Sequence, residues 1–484
     1  MTEIMQATNG RRVRSKLAPM VASMTSARPD GLGPIWSPDG LGPIWSTRLG
    51  LVGLVCACTA SADDVRPPDN QLFFPTGVAV APDDSFLFVV NANSELRYDS
   101  GAVSVLELAP IDQVIAAWTG PEKVIPDGCS QDPDHRETLT CDESLFISSQ
   151  AGVRIGNFAT DIGVQALDPG QLRLIIPTRG DPSIAWVDWD GAGLSCTSGS
   201  EGFALCDDKH RLSFVLDNPD LGIFSEPFGV FADSAGEFAV VTHLTSGAVT
   251  LIDSPRNGDA VITDVRADFF APDPNSGQRG ATGVAGRTPN ASNDIIYVGS
   301  RSDDRIQMMT VGRPVNGAPP FILQGNYFFL DSVGSNNGGS TDTRGVAFST
   351  SGERMFLINR RPPTLQMFDT SLGPTGFPKN QATGASDVCR QASTLAVSGE
   401  GDEERVYVTC FQDGQLYIID PRGSGSVEDI LIVGRGPYSV TAAKSRKKVF
   451  VTNFLEDTIA VIDTAASSPT RNRVVLRIGE PRSL

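Results

Sequence analysis

Histidine is scarce in this chain of 484 residues, with only His135, His210 and His243. That excludes a multi-histidine metal centre or a haem-rich protein, since both recruit several imidazoles. Positive charge is also short. Lys and Arg total 39 against 57 Asp and Glu, a formal charge of −18. Binding a phosphate backbone needs clustered cations, so nucleic acid is excluded as a partner. No GxSxG elbow, HExxH, P-loop, EF-hand or CxxC spacing occurs, so neither a metal nor a cofactor is expected. Helical spacing is missing as well: no segment after residue 64 sustains it over ten residues. What is plentiful is turn-forming residues, 49 Gly and 33 Pro. With 40% hydrophobic and 20% charged residues, the composition is that of a soluble globular protein.

The longest address-like feature is the run LGLVGLVCA, Leu49–Ala57, preceded by Arg48. A helix needs about 20 apolar residues to cross a bilayer, and this run is far shorter. It fits the apolar region of a secretory signal. The tetrapeptide Val55-Cys56-Ala57-Cys58 resembles a bacterial lipobox, which implies lipidation at Cys58. An ordinary signal cleaved near Ala60 or Ala62 is the alternative. Upstream, PDGLGPIWS occurs at 29–37 and again at 38–46, a duplication that we set apart from the fold. Residues 1–57 thus read as an extension with a signal, and 58–70 as a polar tether. Of the eight Cys, Cys56 would be lost and Cys58 lipidated. The six others fall as local pairs, Cys129 with Cys141, Cys196 with Cys206 and Cys389 with Cys410. An even count in an exported chain reads as disulfides; six Cys allow 15 pairings, and locality favours these three.

From residue 71 to 484 one unit repeats. Seven copies begin at Gly77, Gly163, Gly229, Gly283, Gly345, Thr394 and Ser439. Each has short runs rich in Val, Ile, Phe and Tyr, separated by polar turns, which read as strands. Runs such as FLFVV (86–90) and LYIID (416–420) are apolar at consecutive positions, which suits strands covered on both faces. The shortest interval approaches the ~40–45 residues of a four-stranded propeller blade. The phrases YVTC (407–410), FVTN (450–453), YVGS (297–300) and VIDT (461–464) resemble the YVTN family of β-propeller repeats. The expected fold is all-β, a single seven-bladed propeller; a sandwich is the alternative. Ring closure is left open between face packing and pairing of Gln71–Phe74 onto the last blade.

In a propeller, the loop into the first strand and the loop after the second share one face and surround the channel mouth. After the second strand stand Asn91, Arg179, His243, Arg301, Arg360, Phe411 and Asn453. Before the first stand Thr76, Asp161, Phe228, Thr282, Arg344, Arg390 and Tyr438. The candidate ligand site is therefore Arg179, His243, Arg301, Arg344, Arg360 and Arg390. The guanidinium fork suits carboxylate, sulfate or phosphate. Against this, Asp161, Asp181, Asp303, Asp304 and Asp342 lie in the same loops, where they could pair with these arginines. The Asp that closes five of the third strands (Asp188, Asp253, Asp369, Asp420, Asp463) reads as a turn former.

Three functions compete. The leading one is an exported, lipid-anchored binding or scaffold protein at the cell envelope. It is expected to be monomeric, tethered to a bilayer, and to recognise an anionic small molecule or an envelope protein. The second is a propeller enzyme of lactonase or hydrolase type, with His243, Arg301 or Arg344 and Asp161 as candidate groups. The third is a surface adhesion module.

Overall fold

The computed structural model describes residues 65–482, apart from 198–201, 217, 236, 271–279, 288–294, 315 and 331–340. The duplicated segment, the lipobox with Cys58 and part of the tether lie outside the described residues, as does most of the stretch 334–341.

Seven sheets, antiparallel apart from one parallel pairing in each of two, follow one another along the chain. Their first strands are Pro75–Val80, Gly163–Ala166, Pro227–Asp233, Ala281–Gly286, Thr343–Phe348, Ala392–Ser398 and Pro437–Ala443. We number these sheets blades 1–7. Every predicted repeat start falls within one of these strands, so the fold is the expected propeller and not a sandwich. Middle strands are buried on both faces, as in Phe238–His243 and Thr458–Asp463. Val and Ile fill them because both faces of the pleat pack against a neighbouring blade. The apolar core is accordingly divided into slabs between blades. Leu87 and Val89 of blade 1 meet Phe450 and Val461 of blade 7. Tyr407 and Ile418 of blade 6 meet Val449 and Val451 of blade 7.

The repeated glycine has a steric cause. A Cβ on Gly229 would stand 2.5 Å from the Thr282 carbonyl oxygen of the next blade. A side chain there would push the inner strands apart.

Seven hydrogen bonds link each blade to the next around the hub. Thr76 Oγ1 donates to the Ala159 carbonyl at 2.9 Å, and Thr160 Oγ1 to Phe228 at 2.6 Å. Thr242 Oγ1 donates to Thr282 at 2.7 Å, and Thr282 Oγ1 to Thr343 at 2.6 Å. At the next junction Arg360 Nε donates to Ala392 at 2.7 Å. Thr409 Oγ1 then donates to Tyr438 at 3.3 Å, and Thr452 Oγ1 returns to Thr76 at 2.8 Å. An inter-blade carbonyl buried at the hub needs a donor, and a hydroxyl supplies it at six of the seven junctions.

One expectation is corrected, and the open question of ring closure is answered. A helix does follow residue 64: Leu108–Thr119, which buries Leu108, Ile111, Ile115 and Trp118. Those four positions lie on one face of a helix, but the stripe is too short to stand out from the strand-rich chain around it. The ring also does not close through pairing of Gln71–Phe74, although the Phe74 N–H does donate to Asp457 Oδ1 at 2.7 Å. Instead, an insertion in blade 1 supplies the strand Leu139–Cys141. It pairs in parallel with the outer strand of blade 7, Arg473–Ile478. Thr138 Oγ1 adds a bond to the Val474 carbonyl at 2.8 Å. Face packing between blades 7 and 1 completes the closure.

The three predicted disulfides are formed, Cys129–Cys141, Cys196–Cys206 and Cys389–Cys410. Such bonds belong to an oxidising compartment. Among the described residues, no helix is long and apolar enough to cross a membrane.

Candidate functional site

A cavity of about 300 Å³ opens at the channel mouth, on the face anticipated from the loops. Its walls come from blades 2–7. Asp161, Phe228, Thr282, Arg344, Ser393 and Tyr438 contribute the positions leading into or opening the inner strands. Arg179, Leu244 and Arg360 contribute positions after the second strands.

Three of the six candidate residues therefore meet here: Arg179, Arg344 and Arg360. Arg179 is ion-paired with Glu226. Arg344 Nε stands 2.8 Å from Asp342 Oδ1. Arg360 is held through Nε on the Ala392 carbonyl. Among the described residues, no carboxylate lies within ion-pair distance of it. Burial, followed by the nearby Arg344 charge, pushes its pKa down to about 10, so it remains protonated at neutral pH. Arg301 does not line the cavity, but its positive charge also bears on Arg360.

His243 and Arg390 are placed elsewhere. His243 is fully buried, with Nδ1 3.2 Å from the Ser225 carbonyl and Nε2 2.8 Å from Thr250 Oγ1. Burial pulls its pKa to about 4, leaving a neutral ring that serves as an internal strut. The next residue, Leu244, reaches the cavity instead. Arg390 is exposed and lines a rim groove with Pro362, Asp387 and Asp413. Blade 6 pairs Ala392 with Cys410, so the residue equivalent to Arg344 is Ser393. Arg390 therefore stands three positions before the one that reaches the mouth.

Asp161 contributes more than its sequence position suggested. Its Oδ1 accepts the Ile162 N–H at 2.9 Å and its Oδ2 the Val230 N–H at 3.1 Å. The expected pairing with an arginine is absent: among the described residues, no cation lies within ion-pair distance of it. Asp181, Asp303 and Asp342 do pair, with Arg211, Arg305 and Arg344. Burial pushes the Asp161 carboxyl up to about 6. Beside it, burial and then the Asp161 charge push the Tyr438 phenol up to about 12. The phenol is thus a hydrogen-bond donor at any physiological pH.

The third-strand aspartates divide in two. Asp369, Asp420 and Asp463 each accept the backbone N–H two residues on, as expected. Asp188 and Asp253 pair with Arg173 and Arg313 instead. Among the described residues, no group of three or more His, Cys, Asp or Glu is arranged to hold a metal.

No protein-family model matches the chain, and no curated protein matches it. Solved structures do share the fold. One is a protein from Lactobacillus plantarum, with 12% identity and a TM-score of 0.52, covering 79% of this chain and 93% of that one. Another is a putative 6-phosphogluconolactonase from Bacteroides fragilis, with 11% identity and a TM-score of 0.49, covering 84% and 98%. A third is the periplasmic gluconolactonase of Pseudomonas aeruginosa, with 16% identity and a TM-score of 0.45, covering 74% and 84%. At these identities the likeness is one of architecture, and one architecture carries many functions.

Proposed function

We propose that this is an exported, lipid-anchored propeller that binds a small organic carboxylate at its channel mouth without turning it over. One observation carries the reading: Arg360 faces the cavity with no carboxylate within ion-pair distance among the described residues. A partly buried guanidinium is costly to leave uncompensated, and a ligand carboxylate would complete it in bidentate fashion. Arg344 and Tyr438 line the same cavity and add donors there. The cavity volume suits a ligand of amino-acid or short organic-acid size.

The test is thermal unfolding of the full chain against small carboxylates, phosphate and sulfate. A ligand at 100 times its Kd adds about 2.7 kcal/mol. We expect carboxylates to raise Tm, and the double variant R344Q/R360Q to lose at least tenfold in affinity, with a ligand-free Tm lowered by the loss of the Arg360 bond to Ala392 but a cooperative unfolding transition retained. A screen without any shift, or binding undiminished in that variant, overturns the site. The anchor is tested separately: Cys58→Ser should move the protein from the membrane fraction to the soluble one.

The hydrolase reading has one observation in its favour, the Asp161 carboxyl whose pKa is raised to about 6 beside the Tyr438 phenol. A general base poised near neutrality has that property. Turnover of any lactone or ester that Asp161→Asn abolishes would replace binding by catalysis.

A further inference from the structure

The channel mouth holds two opposite charges that do not meet. Asp161 comes from blade 2 and Arg360 from blade 5, three blades apart in a ring of seven, and both line the same cavity. The carboxylate is held in place by two backbone amides, one on each oxygen. These bonds fix its orientation but supply no formal positive charge. Each oxygen keeps a further lone pair for another donor. The guanidinium is fixed through Nε on a backbone carbonyl, which supplies no negative charge. Other charged groups of the mouth are already neutralised locally, Arg179 by Glu226 and Arg344 by Asp342. A buried charge is tolerated when it is paired, yet the structure leaves this carboxylate and this guanidinium each without an ion-pair partner among the described residues. The burial that raises the Asp161 pKa has no cation opposing it. Tyr438 lines the same cavity, with its phenol within the electrostatic reach of both. Phe228, Leu244, Val284 and Val346 give the cavity an apolar wall.

We propose that the ligand is a zwitterion, with an ammonium group seated on Asp161 and a carboxylate on Arg360, joined by a short aliphatic span. This rests on the carboxylate-binding reading above and narrows it to amino-acid-like molecules. A plain carboxylate would leave Asp161 uncompensated and would be repelled by it. A plain amine would leave Arg360 in the same state. Only a molecule with both charges neutralises both walls.

The experiment is isothermal titration of the full chain with two matched series. One runs from glycine through β-alanine and 4-aminobutyrate to 5-aminopentanoate, the other from acetate to pentanoate. We expect at least one amino acid to bind tenfold or more tightly than the carboxylate of equal length, and Asp161→Asn to abolish that advantage while sparing carboxylate binding. A second readout uses the unmodified protein near pH 6, in buffers of different ionisation enthalpy. An ammonium on Asp161 favours its ionised form, so the amino acid should release a proton. A plain carboxylate should take one up. Equal affinities in the two series, or proton uptake with both, overturns the zwitterion and leaves the carboxylate site standing. Failure of every member of both series to bind overturns the carboxylate reading and the zwitterion with it. Should Asp161→Asn not fold, the sign of the linked proton in the unmodified protein decides.

Discussion

His243 shows how a single ring can be spent on structure. It bridges the Ser225 carbonyl and the Thr250 hydroxyl in a fully buried setting, and that burial disfavours the protonated ring. Its folded pKa of about 4 lies below the ordinary imidazole value of 6.5. The stability this contributes is complete above pH 6.5 and is lost as pH falls through 4, a total of about 3 kcal/mol. Asp161 acts with the opposite sign. Its raised pKa favours the folded state below the ordinary carboxylate range, and that contribution is lost as pH rises through about 6. Urea unfolding of the protein and of His243→Gln at pH 7.5 and pH 4.5 separates the two. We expect the variant to be less stable at pH 7.5 but to lose less stability on acidification, and an identical pH dependence would rule the strut out. At this scale the sequence spoke through residue type more than position. The arginines at Arg179, Arg344 and Arg360 were readable because the ends of first and second strands share one face of a propeller. Arg390 was misplaced because it stands three positions before Ser393, the residue that takes the place of Arg344. Asp161 was visible, but its lack of a cation is a fact of distance that no string of letters carries.

The strand and its neighbour are the next scale, and there the hub circuit explains a repeated letter. Thr242, Thr409 and Thr452 occupy the same place in second strands, and each hydroxyl reaches the next blade's inner strand. Where that letter is missing, the donor comes from Thr76, Thr160, Thr282 and, once, Arg360. Removing a buried donor leaves its carbonyl unsatisfied, at a cost of about 1–3 kcal/mol. Thr452→Val should be the more damaging of two matched changes, because its bond to Thr76 is 2.8 Å long and spans the closing seam. Thr409→Val removes a bond of 3.3 Å. Denaturant midpoints measure both, and a Thr409→Val loss equal to or above that of Thr452→Val would count against a special role for the seam. The phrases YVTC and FVTN were thus readable as strands before their threonine had a purpose. The helix Leu108–Thr119 escaped notice because its four buried positions form one brief stripe inside a strand-rich region.

For the whole molecule, the decisive feature is the insertion that edges the last blade. Strand Leu139–Cys141 covers the outer strand of blade 7, and an uncovered strand edge invites pairing with other chains. Arg477 and Asp132, 3.2 Å apart, lie beside the same seam. The Cys129–Cys141 disulfide closes the hairpin that carries the covering strand. Replacing both cysteines with serine should cost about 2–3 kcal/mol and should produce concentration-dependent association by light scattering. Loss of stability without association would mean that the edge stays covered. Seven blades were readable from local repetition. The pairing of residue 139 with 476 was not, because no local pattern in either segment names the other.

That pairing also sets a timetable. A chain delivered N-terminus first presents the hairpin early, and its disulfide joins residues only 12 apart, so it needs nothing downstream. The strand it awaits lies some 336 residues later, as the bond from Thr138 to Val474 records. Blades 2–6 can stack one upon another as they emerge, each on local contacts, while blade 1 keeps a docking strand ready. Closure therefore waits for the last-made strand, and a chain without it would leave the docking strand unpaired.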